Sequence, residues 1–353
     1  MLSVNPTQIA GQFTRQAITG ITPLGCGLIN DTYRVAGADS AFVLQRLNQH
    51  VFPAPQLIMA NLEYLGRHIR QKPPETVGLQ FPGIIYTLSG QTYFQDAEQQ
   101  FWRALELIQP AESRQVLNRA TESAQIGYAL AHFHRLCSDL PVSALHDTLP
   151  GFHITPGYYQ DYQQLAERNP TIEIDSEFEF CRNFIRQFQT NINVLEDAKA
   201  AGILSMRVTH GDPKLNNFLF RPGADQIISL IDLDTVKPGL VHYDIGDCIR
   251  SCCHIKPDNH FDIQRCRIIL EHYLQEAGSF FTPADYLYLS AAIVLIPFEL
   301  GLRFFSDYLA GNQYFKITEP RSNLYKAIAL FELCQSINAQ LSELNAIILS
   351  FQH

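Results

Sequence analysis

Apolar positions along this chain change their period about a third of the way in. Up to residue 108 they come as short runs separated by glycine, proline and acidic turns; beyond it they recur at the three-and-four spacing of amphipathic helices. Ile9 to Phe13 opens an N-terminal helix. Thr19 to Val35 is strand, glycine turn, strand. After a turn at Gly37 to Ser40, Ala41 to Leu47 is a third strand. Val51 to Leu65 is a loop with two prolines that runs into a helix. Pro82 to Phe94 predicts a hairpin around Ser89-Gly90, and Phe101 to Ile108 a last strand that Pro110 ends. Further on, Ile126, Ala129, Leu130, Phe133 and Cys137 mark one face of a helix over 122–136. Pro156 to Arg168 predicts another, and Ser176 to Ala201 a third with Phe178, Cys181, Phe184, Ile185 and Phe188 on one stripe. Thr282-Pro-Ala-Asp285 has the chemistry of a helix cap, and Ser322 to Gln340 is an amphipathic helix. The pattern predicts an α+β chain in two lobes, an antiparallel-sheet lobe over 1–108 and a mainly helical one over 109–353.

One polar stretch stands apart. Between the apolar runs at Val208-Thr209 and Phe218 to Phe220 lies His210-Gly-Asp-Pro-Lys-Leu-Asn-Asn217, and Ile228-Ser-Leu-Ile-Asp-Leu-Asp234 follows it. Phosphoryl transfer needs a carboxylate to take or orient the proton of the acceptor hydroxyl. It also needs a carboxylate and an amide oxygen to hold Mg²⁺ against the nucleotide phosphates. Asp212, Asn217 and Asp232 stand in the order and spacing of that set. Asp234 lies on the face of Asp232 if the strand continues, which makes it a further candidate for the metal.

These motifs resemble the aminoglycoside phosphotransferase and choline kinase superfamily. Ile231 to Arg250, Leu149-Pro-Gly-Phe-His153 and Phe298 to Lys316 are similar to its N-acetylhexosamine 1-kinase branch. The resemblance implies a protein-kinase-like fold, ATP with Mg²⁺, and a sugar phosphorylated at its anomeric hydroxyl. Asp212 is then the catalytic carboxylate, with Lys214 on the transferred phosphate. The absence of an A-P-E sequence and of a long activation segment favours a small-molecule acceptor over a protein.

Gly25 and Gly27 stand where a kinase keeps its phosphate loop, with Asn30 and Asp31 at the tip, facing phosphate or acceptor. The third strand departs from the kinase pattern. Gln45 stands where the phosphate-pairing lysine belongs, and Arg46 follows it on the opposite face, so only one of the two can point at nucleotide. Lys214 offers an alternative cation. Glu63, the remaining candidate for an ion pair with Arg46, is more simply a surface residue. The hinge falls near Leu107 to Ala111, and Leu107 would lie against adenine. Asp244 is expected to cap its helix and pin the catalytic loop.

For the acceptor, Asp31, Arg303 and Tyr314 are the candidates. Arg303 interrupts a strongly apolar helix and needs a partner, either a carboxylate or the hydroxyls of a bound sugar. It would repel a cationic acceptor such as choline or an aminoglycoside. Net charge is −9 without basic runs, which argues against nucleic acid and anionic membrane as partners. No signal peptide is visible, and the most apolar window, Tyr286 to Ile296, is too short to span a bilayer. Eight cysteines without a C-x-x-C pair fit reduced thiols in a cytoplasmic protein, and the crowd at Cys248, Cys252 and Cys253 is better explained by helix burial than by zinc. Gln45 alone would also suit a non-catalytic nucleotide-binding protein of the same fold.

Overall fold

The computed structural model describes residues 5–25, 29–168 and 175–352. Six strands form an antiparallel sheet: β1 (Ile18–Pro23), β2 (Asp31–Gly37), β3 (Ala41–Leu47), β4 (Ile84–Ile85), β5 (Phe94–Gln95) and β6 (Phe101–Glu106). The order is β1-β2-β3-β6-β4, with β5 also on β6. The hairpin expected over 82–94 is not formed as such. Its two arms both pair with β6, Ile84 opposite Leu105 and Phe94 opposite Trp102.

Strand alternation gives the sheet two different faces. Phe42, Leu44, Trp102 and Ala104 pack with Ile9 and Phe13 beside α1 (Pro6–Ala10). Leu47 and Phe101 pack on the other side against Ile58 and Met59 of α2 (Pro55–Arg70). Gln45 and Arg103, partners in register on β3 and β6, share this second face. Trp102, the only tryptophan, is buried on the first face, where its indole N–H donates to Asp96 at 2.8 Å. The chain leaves the sheet after Glu106, and its next strand, β7 (Glu112–Ser113), pairs with the hairpin of the catalytic region, so Leu107 lies in the connection.

The rest is helical: α3 (Ala120–Leu136), α4 (Thr155–Arg168), α5 (Ser176–Phe188), α6 (Val194–Ala200), α7 (Val241–Cys253), α8 (Ile263–Ala277), α9 (Pro283–Leu309), α10 (Ser322–Ala339) and α11 (Leu341–Ser350). The single helix expected over 176–201 breaks after Phe188 into a short 3₁₀ turn and α6. Two glycines set close helix crossings. A Cβ on Gly127 of α3 would lie 2.1 Å from the Ile269 carbonyl oxygen of α8. One on Gly246 of α7 would lie 2.6 Å from Ile296 and 2.8 Å from the Ala292 carbonyl oxygen of α9.

Helix α9 starts with the Thr282–Asp285 capping box and Pro283, then runs through Pro297 for 27 residues. It is long and apolar enough to cross a membrane, but it lies in the centre of the bundle with Glu299 and Asp307 buried along it. All seven described cysteines are buried and free. Among the described residues no group of His, Cys, Asp and Glu is placed to hold a metal ion by itself, the Cys248–Cys253 crowd included.

Candidate active site

The catalytic stretch is built from short strands that cannot stand alone: β8 (Arg207–Thr209) pairs with β11 (Lys237–Gly239), and β9 (Phe218–Phe220) with β10 (Ile227–Leu230). Between β8 and β9 the chain turns at Gly211, φ +88°, and a Cβ there would meet Thr235 at 2.7 Å. Only glycine fits both demands.

Helix α7 supports this loop from below. The buried Asp244 carboxylate accepts the backbone N–H groups of His210 and Gly211 at 2.6 and 2.8 Å and the Nε2–H of His134 at 2.8 Å. Burial alone would raise its pKa, yet His134 and the backbone donors hold it below the ordinary value. Asp244 thus pins the loop as expected, from the first turn of α7 rather than as the residue before it.

His210 has the opposite fate. Burial pushes its pKa down to about 4, so the ring is neutral at physiological pH. Its contacts fix the tautomer: Nε2–H donates to the Ile231 carbonyl at 3.0 Å, and Nδ1 accepts from the Asp212 N–H at 3.3 Å. One ring therefore spaces the Asp212 segment from the Ile231–Asp232 segment.

Asp212 forms an ion pair with Lys214. Its pKa is raised to about 6, chiefly by burial and then by Asp247 and Asp232, with Lys214 opposing. The Asn217 amide N–H donates to the Asp212 backbone carbonyl at 2.7 Å, which commits the nitrogen end of the amide and leaves its oxygen as the acceptor end. Asp232 is exposed and sits in the left-handed region at φ +68°. An amide oxygen and a free carboxylate are hard ligands that suit Mg²⁺, which takes its remaining ligands from water and phosphate.

The left-handed turn corrects one expectation: the chain does not stay extended past Asp232, so Asp234 does not share its face. Asp234 points instead to the sheet, where Arg103 Nη2 forms an ion pair with it at 2.5 Å and the Asn30 amide donates at 2.8 Å. Asn30 therefore serves the sheet–helix junction.

On the third strand the Gln45 side chain is engaged within the sheet. Its Oε1 accepts from Arg103 Nε and Nη2 at 2.9 and 2.7 Å, and its amide donates to Thr32 at 3.0 Å. Arg46 and Asp31 lie elsewhere: directly opposite each other on β3 and β2, they form an exposed ion pair, with Arg46 6.0 Å over Trp102 on the far face. Alternation forces this, because the neighbour of Gln45 must point away from it. Glu63 accepts from Tyr86 instead of pairing with Arg46. Gly25 is left-handed at φ +72°, as a loop turn requires, while Gly27 lies outside the described residues.

Arg103 is the residue that sequence reasoning passed over. It is only 1 % exposed, and its Nη1 is buried without a hydrogen-bond partner. A lone arginine in an apolar strand was the available signal.

On the other side of the catalytic loop, half-buried Arg303 lies 5.0–6.0 Å from the rings of Phe152, Tyr158, Tyr314 and Phe315. Among the described residues no carboxylate forms an ion pair with it. The box is linked to the loop through His153, which donates to Glu299 at 2.9 Å and to the Gly211 carbonyl at 2.9 Å. Both its partners accept, so the ring carries two protons. Burial opposes that charge, but Glu299 outweighs it and the pKa is raised.

Residues 20–280 match the model of the phosphotransferase enzyme family. Among solved structures the fold is similar to that of an aminoglycoside phosphotransferase from Alicyclobacillus acidocaldarius, with a TM-score of 0.66 and 17% identity over 98% of each chain. It is similar to a microcompartment-associated aminopropanol kinase, with a TM-score of 0.65 and 17% identity over 96% of this chain and 98% of that one. A spectinomycin phosphotransferase in complex with ADP and spectinomycin gives a TM-score of 0.59 and 13% identity over 96% of this chain and 99% of that one.

Proposed function

The chain belongs to the phosphotransferase enzyme family, and from that premise we propose that it moves the γ-phosphoryl group of ATP to the anomeric hydroxyl of an N-acetylhexosamine. Asp212 orients that hydroxyl and takes its proton; Lys214, beside it, stabilises the transferring phosphate. Asn217 and Asp232 hold Mg²⁺, which when bound neutralises charge on the nucleotide phosphates. Arg103, gripped by Gln45, supplies from β6 the cation that β3 lacks.

The observation that carries the choice of acceptor is the Arg303 box. A guanidinium with free donors and four aromatic walls suits a neutral sugar, whose hydroxyls accept from it and whose ring faces lie on aromatic surfaces. An ammonium-bearing acceptor would meet like charge there. The second reading, an amino alcohol or aminoglycoside as acceptor, draws on the names of the solved relatives.

The test is MgATP-dependent phosphorylation across N-acetylglucosamine, N-acetylgalactosamine, glucose, ethanolamine, 1-amino-2-propanol and kanamycin. An N-acetylhexosamine should give the highest kcat/KM, and Asp212→Asn should lower kcat by about 10³-fold or more while ATP still binds. Highest kcat/KM with an amine would replace the sugar reading; full activity of Asp212→Asn would remove the role given to Asp212.

A further inference from the structure

We infer that Asp247 is a specificity-determining residue of the acceptor site, its free carboxylate oxygen accepting a hydrogen bond from a donor group on the carbon next to the reacting hydroxyl. The inference rests on the acceptor reading above.

Its starting point is the face that α7 turns to the catalytic loop. Asp244 accepts from the N–H groups of His210 and Gly211, and Ser251 Oγ accepts from the Leu215 N–H at 2.9 Å. These attachments are seven residues apart, two helical turns, and so define one stripe. Asp247 falls three residues after the first and four before the second, which sets it on that stripe opposite residues 212–214.

Its electrostatic reach agrees with this place. The charge of Asp247 acts on Asp212, Lys214 and His153, the catalytic pair and the link to the Arg303 box.

Arg250, one turn on, donates from Nε to Asp247 Oδ1 at 2.8 Å, fixing the carboxylate. The second oxygen, Oδ2, is buried and has no hydrogen-bond partner among the described residues, although the residue is only 6 % exposed. A carboxylate paired for structure alone would satisfy both oxygens, since an orphaned buried acceptor is costly. An oriented carboxylate with one free oxygen beside the catalytic aspartate instead has the form of a receptor for a donor. Because Asp212 engages the reacting hydroxyl, the group that Asp247 meets belongs to the adjoining part of the same molecule. For an N-acetylhexosamine phosphorylated at its anomeric hydroxyl, that group is the amide N–H.

The test compares wild type and Asp247→Asn with N-acetylglucosamine and with 2-deoxyglucose, which lacks the donor. The asparagine keeps an oxygen for Arg250 and turns an N–H toward the substrate. The expected result is that the preference for N-acetylglucosamine, as a ratio of kcat/KM values, falls at least tenfold in the variant, mainly through KM. An equal loss on both sugars, or a matching rise in KM for ATP, would mean a structural role and overturn the assignment. If the variant does not fold, wild type decides: a preference below threefold between the two sugars overturns the proposal, a larger one supports it. Should wild type phosphorylate neither sugar, the acceptor reading fails first and takes this inference with it.

Discussion

Asp212, half-buried, and Asp244, fully buried, are carboxylates on the two sides of one loop, and their surroundings push them in opposite directions. Asp244 faces donors and stays ionised as a structural anchor. Desolvation, with Asp247 and Asp232 adding to it and Lys214 opposing, pushes Asp212 up to about 6. A base must be deprotonated to accept a proton, so raising its pKa removes active enzyme on the acid side. The kcat/KM for the acceptor should therefore be flat above about pH 7 and fall roughly tenfold per unit below about pH 6, measured by steady-state rates from pH 5 to 8. A profile flat down to pH 5 would contradict Asp212 as the base. The grouping of Asp212, Asn217 and Asp232 was legible in the sequence because they closely flank one short hairpin, β9–β10. Arg103 was not, because its partners Gln45 and Asp234 meet it only once the sheet and the catalytic segment are folded together.

At the scale of elements, helix existence followed from apolar spacing, while breaks and strand partners did not. The stripe from Phe178 to Phe188 continues in spirit into Leu195 and Ala198, and periodicity alone joined two helices across a 3₁₀ turn. The apolar window Tyr286 to Ile296 is shorter than the helix that contains it, which continues through Pro297 to Leu309. The long helix tolerates the missing N–H because tertiary packing on α4, α7 and α10 holds it on both sides of the proline. The crossing of α7 over α9 matters most for the site, because α7 carries Asp244 and Asp247. Gly246→Ala should push the helices apart and cost about 1–3 kcal/mol, read as a lower midpoint in urea denaturation. An unchanged midpoint would show that the crossing gives way without strain.

At the scale of the whole molecule, a small polar cluster joins the sheet to the segment that follows Asp232. Arg103 and Gln45 come from the sheet, Asn30 from the loop before β2, and Asp234 from the segment after the left-handed turn at Asp232; Thr148 adds a hydrogen bond to the Asp234 carbonyl at 2.8 Å. Removing the guanidinium leaves Asp234 buried without its cation, a change worth about 3–5 kcal/mol. Arg103→Met should therefore lower the thermal midpoint and raise KM for ATP. Adding Asp234→Asn should recover the midpoint but not the ATP affinity, which separates the structural share of Arg103 from its charge on nucleotide. Recovery of both would confine Arg103 to a structural part. Trp102 adjoins Arg103 on β6, and no second indole exists in the chain. Excitation at the red edge of protein absorbance thus selects a single chromophore, seated in the sheet under the guanidinium of Arg46. Its emission is a built-in optical label for that half of the protein, silent about melting of the helices and free of any need for an attached dye.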